Sequence, residues 1–214
     1  MELKDILEQH AGMVMDKQHM LGEMLGAHDW GADTGTGIFF FNGPNIDTPF
    51  EIIGTVSNHT GEWLWGWANA SLPGDLAVIS GALRDFGAAN NIEYFTRDRL
   101  SKDETDLHAI GIAACGIGGA KAYYIADYGD GILLAALTGD QFLDAWQPDH
   151  PRVFSVFPRL IQIFELDHKA ALKHYLAGLG YEVSDNNGVL AEKNGQSVKA
   201  AFDEAGRLVN LASA

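Results

Sequence analysis

Apolar residues recur at Leu3, Ile6/Leu7, Val14, Leu21 and Leu25, with Met13, Met20 and Met24 beside them, a spacing that predicts one helix ended by Gly26. His10 and Lys17 interrupt the stripe, and its methionines suit either a core or an adaptable docking face. After His28-Asp29-Trp30 the period becomes extended. Residues 36–42, 50–57 and 62–69 form three apolar runs separated by turn formers and predict strands. Asn58-His59-Thr60-Gly61 has the chemistry of a hairpin turn, since Asn and Gly tolerate positive φ, and Gly43-Pro44-Asn45 is a loop of similar type.

Leu72-Pro73 opens a predicted helix carried by Leu76, Ile79, Leu83 and Phe86 to Gly87, followed by a short strand over 92–96. Asp103-Glu104-Thr105-Asp106 puts acids at the start of a helix through Leu107, Ile110, Ala114 and Ile117, where they suit its dipole. Residues 122–126 and 131–137 read as a second hairpin, and one long helix is expected over 152–177, stopped by Gly178 and Gly180. Turn signals at 185–188, 193–195 and 203–206 cut the tail into a meander of four short strands. This order predicts an α+β fold. Its mixed or antiparallel sheet is built from hairpins and packed by an N-terminal helix, two middle helices and a long late helix, with a C-terminal β-meander. The expectation is one compact domain over 1–214, with a subdomain break near Pro148-Asp149-His150-Pro151, where two prolines disfavour helix.

Charge narrows the classes of function. With 14 Lys+Arg against 29 Asp+Glu, the net charge is −15 and the few cations are scattered among acids. Nucleic-acid backbones and anionic membrane surfaces need clustered cations, so neither is an expected partner. The single cysteine, Cys115, makes no internal disulfide and reads as a small buried hydrophobe. An acidic start and the lack of a spanning-length apolar run point to a cytoplasmic protein.

In residues 62–69 strict alternation puts Trp63, Trp65 and Trp67 on one sheet face, either a thick core layer or an aromatic wall for a flat ligand, sugar or peptide. His28, Trp30 and Asp33 lie between a helix end and a strand start, and His59 lies in a turn. If those loops met, imidazole, carboxylate and indole would form an acid–base group; otherwise the histidines simply hold their loops. His168 reads as a core histidine satisfied from another element. No metal-ligand spacing, phosphate loop or nucleophile elbow is present, so neither metal nor cofactor is expected and no catalytic residue is assigned.

His28-Asp29-Trp30 with Asp33, Gly54-Thr55-Val56-Ser57, Trp63-Leu64-Trp65-Gly66-Trp67-Ala68-Asn69 and Phe164-Glu165-Leu166-Asp167-His168-Lys169-Ala170-Ala171-Leu172 together resemble an uncharacterised bacterial family known as a domain of unknown function. The resemblance implies a bacterial cytoplasmic origin and one family-length domain, and it carries no catalytic role. The leading expectation is a non-enzymatic binding or interaction protein with a groove near the Trp-rich strand, taking a basic protein, a peptide or a small ligand. The alternative is a small hydrolase or lyase using a His/Asp pair beside that strand, and a third reading is a homodimer through the Met-rich first helix.

Overall fold

The computed structural model describes residues 1–144, 146–185 and 188–213. It is an α+β protein with two antiparallel sheets. Packing divides the chain into two compact units, Met1–Leu3 with Met20–Trp146 and Lys4–His19 with Gln147–Ala214. Among the described residues no helix is long and apolar enough to cross a membrane.

The first helix, α1 (Leu3–Leu25), is continuous, as its apolar stripe predicts, and its last turns place Leu21 and Leu25 in the core of the first unit. There follow β1 (Asp29–Asp33), β2 (Ile38–Asn42), β3 (Ile46–Ser57) and β4 (Trp63–Trp65). β3 is the spine of the sheet. It pairs with β2 along its start, where Phe41 faces Ile46, and with β4 near its end, where Gly54 faces Trp65. After α2 (Val78–Asn90), α3 (Glu93–Thr96), β5 (Arg99–Leu100) and α4 (Leu107–Gly116), the hairpin of β6 (Ala122–Asp127) and β7 (Gly131–Leu137) completes the sheet, β7 pairing with β3 from Phe50 to Ser57. A short helix, α5 (Gln141–Asp144), adds the buried Phe142.

Three local expectations are corrected here. The strand expected over 92–96 is the short helix α3, because its apolar residues Ile92 and Phe95 are buried at helical spacing. The strand expected over 62–69 stops at Trp65, and Gly66–Ala68 turns as a 3-10 helix. A Cβ at Gly66 would stand 2.2 Å from the Ile52 carbonyl oxygen, so only glycine lets the chain turn this close to β3. Cys115 is half-buried rather than sealed in the core.

The start of α2 shows a cap that local sequence cannot reveal. Pro73 precedes a 3-10 turn at Gly74–Leu76, and Ala77, at the N-cap of α2, has no side-chain acceptor to offer. Glu51 of β3 serves instead: its Oε2 accepts the Ile79 N–H at 2.6 Å. Burial pushes the Glu51 carboxyl above its ordinary value, with Asp75 pushing the same way and the N–H groups of Ile79 and Val78 pulling it back. Between the unfolded and folded values the native state therefore binds more protons, and this group's contribution to stability falls as pH rises through that window. Glu51→Gln keeps an acceptor oxygen but removes the titration. Relative to wild type, its melting temperature is expected to gain as pH rises from about 4, and parallel profiles in thermal melts would contradict this assignment.

The second unit combines residues 4–19 of α1 with α6 (His150–Ile163), α7 (His168–Gly178) and a four-stranded meander: β8 (Glu182–Asp185), β9 (Val189–Lys193), β10 (Gln196–Phe202) and β11 (Leu208–Ser213). The meander is the one the turn signals predict, although Asn186 and Asn187 of the first turn lie outside the described residues. The long late helix expected over 152–177 is two helices. Asp167 caps α7 by accepting the N–H groups of Lys169 and Ala170, both at 2.9 Å. The apolar rhythm runs across the break because Phe164 and Leu166, in the connecting turn, are themselves buried. Asp16 of α1 is fully buried and accepts from Arg152 of α6 at 3.0 Å and from the Tyr175 hydroxyl of α7 at 3.1 Å. Gly12 admits that tyrosine, since a Cβ there would lie 2.5 Å from the Tyr175 Cβ.

Candidate functional site

The sheet of the first unit curls. β1 and β6 are separated by β2, β3 and β7 in pairing order, yet the Trp30 and Tyr124 rings are 6.3 Å apart and His28 bonds to the Tyr124 hydroxyl at 2.8 Å. Neighbouring strands lie about 4.8 Å apart, so a flat sheet would hold β1 and β6 roughly 19 Å from one another. The bend coincides with the irregular register between Ile52 and Gly54 of β3. Inside it Phe39, Phe41, Phe50, Ile52, Leu133 and Leu137 form a buried core, with Trp30 and Tyr124 only half-buried at its margin.

His28 has a fixed role in this seam. Its Nδ1 lies 2.9 Å from the Gly26 carbonyl oxygen, which can only accept, so Nδ1 carries the proton. In the neutral ring Nε2 is then the acceptor for the Tyr124 O–H. Burial pushes the Tyr124 hydroxyl above its ordinary value, so it remains a proton donor. Trp30 stacks on Phe39 at 5.4 Å and an interplanar angle of 15°. The result is a rigid, partly open aromatic edge with two polar tips, a surface that can stack against a flat or cationic group.

The other nominated residues go elsewhere. Asp33 directs its carboxylate to the N–H groups of Gly35 at 2.8 Å and Thr36 at 3.3 Å, the first of which does most to hold it below its ordinary value. His59 is exposed in the turn after β3, and its N–H and that of Thr60 donate to Ser57 Oγ. His28 adjoins the start of β3 and His59 follows its end, so the two loops do not meet.

Trp63 and Trp65 do share a face, with rings 5.3 Å apart and perpendicular, but both are fully buried and line no groove. Trp65 packs on Phe95 and Tyr94, and Gly54 leaves the space that Trp63 fills. Trp67, carried off the strand by the 3-10 turn, is half-buried under the Arg84 guanidinium at 5.4 Å. Among the described residues the indole N–H groups of these three tryptophans meet no acceptor. His168 is satisfied from another element as expected, accepting the Leu208 N–H at 3.0 Å, but it is half-buried rather than in the core.

Sequence reasoning missed Tyr124, whose only signal is its place between Ala122 and Ala126 on the face that β6 turns inward. The sequence model of a family of unknown function, DUF6882, matches residues 4–139. The chain belongs to that family. The DUF6882 match takes in α1 and the whole curled sheet, including His28, Trp30 and Tyr124, whereas Phe164–Leu172 lies beyond it. No curated protein and no solved structure matches the chain. Among the described residues no group of three or more His, Cys, Asp or Glu side chains is placed to hold a metal ion.

Proposed function

We propose that this protein is a binding protein whose contact surface is the His28–Trp30–Tyr124 seam and whose partner is cationic, a basic protein segment or peptide. The observation that carries this reading is the half-burial of Trp30 and Tyr124: the two rings are anchored by stacking and by the His28 bond yet keep part of their surface open. Fixed aromatic side chains lose little entropy on binding, and an excess of 15 negative charges draws a cation in from solution. A hydrolase or lyase built on a His/Asp pair needs those groups in contact. Here His28 is engaged by Gly26 and Tyr124, and Asp33 by its own turn.

The test is a titration with an Arg/Lys-rich peptide, followed through the indole N–H signals in NMR. The Trp30 signal is expected to move, with affinity dropping at least tenfold between about 20 and 300 mM salt as charges are screened. Trp30→Ala is expected to abolish the response. Binding indifferent to both salt and Trp30 would refute the reading.

A further inference from the structure

The sheet of the second unit runs β11-β10-β9-β8, so it has two edges, and they are built differently. β8 carries Glu182 and Asp185, and Lys169 and Lys173 close on Asp185 at 2.6 and 3.2 Å. Charges on an edge strand are a usual deterrent to pairing with another chain. β11 reads Leu208-Val209-Asn210-Leu211-Ala212-Ser213, without charge, proline or glycine. Val209 is 62% exposed. The strand is nevertheless held at both ends: the Leu208 N–H donates to His168 Nδ1, and Ser213 Oγ bonds His150 Nε2 at 2.9 Å. Among the described residues β11 pairs only with β10, leaving an ordered, uncharged row of backbone donors and acceptors along the outer side.

We propose that β11 is a self-association edge: two copies of this chain pair β11 to β11, antiparallel about a two-fold axis, joining two four-stranded sheets into one of eight strands. Charge selects the occupant. A basic partner gains nothing from a strand that bears no carboxylate, whereas two acidic chains can approach there without setting like charges on the pairing line. The two-fold sets the middle of the strand against itself, as an isologous contact requires. An edge of six residues lies below the roughly 1,200 Å² of a standard interface, so the expected dimer is weak, with dissociation in the micromolar range.

Sedimentation velocity on the full chain from about 5 to 500 μM tests this, that range bracketing the expected dissociation constant. The wild-type mass is expected to double across the series. Asn210 is exposed, so Asn210→Lys should leave the melting temperature unchanged while keeping the chain monomeric, because the two lysines would face each other near the axis. An equimolar mixture of Asn210→Lys and Asn210→Glu chains should dimerise again. A wild-type chain that stays monomeric at the highest concentration, an Asn210→Lys chain that dimerises like wild type, or a mixture that stays monomeric overturns the proposal.

Discussion

Asp16→Leu is expected to lower the stability of the second unit by about 3–5 kcal/mol, because it removes the fully buried carboxylate that accepts from both Arg152 and Tyr175. Arg152 keeps just 16% of its side chain exposed, so the loss of the Asp16 carboxylate is poorly made up by water, and the Tyr175 hydroxyl would lose the same acceptor. Tyr175 cannot take over the missing charge: burial, the largest cause that raises its hydroxyl above the ordinary range, remains when Asp16 is gone, so it stays protonated. Arg152→Met alone should cost a similar amount for the mirror reason. The double variant Asp16→Leu/Arg152→Met should recover most of the loss, since a buried ion pair adds little over a well-packed apolar pair. Urea denaturation of the four proteins decides it, and strictly additive losses would show that the pair is not coupled.

Trp65→Ala is expected to cost about 3–5 kcal/mol, the range for deleting a large aromatic from a closed core. An aromatic wall facing solvent would instead tolerate the change and lose only ligand. Trp65→Phe should be much gentler. It gives up ring volume, but it also removes an indole N–H that meets no acceptor among the described residues, and such a buried donor carries a penalty of about 1–3 kcal/mol. Calorimetric melts of the two variants separate the contributions, and equal losses would mean that the N–H is satisfied in solution.

These two sites mark where the sequence was legible and where it was not. Three-to-four spacing found α1, and turn formers between apolar runs found the β6–β7 hairpin and the C-terminal meander, because these signals are local to each element. The same rule overran at Trp67 and at Phe164–Leu166. In both places apolar side chains continue into a turn, and what ends the element is non-local: the Ile52 carbonyl against Gly66, and the burial of the turn around Phe164. The candidate site was half visible. His28 and Trp30 stand out beside a helix end, but Tyr124 lies 96 positions from His28, and only the curling of β3 brings them together. Asp16 drew no attention for the same reason, its partners lying 136 and 159 positions away.

α1 serves two masters. Residues 4–19 build the second unit, and the turns from Met20 onward belong to the first, without a break in the helix. The segment from Gln147 onward is therefore not a detachable module: inherited or expressed alone, it would lack Ile6, Ala11, Val14 and Asp16, the share of its own core that α1 supplies. A cut between Trp146 and Gln147 would break the covalent chain but leave each side holding what the other needs to complete that core, which is the arrangement sought in a split-protein pair.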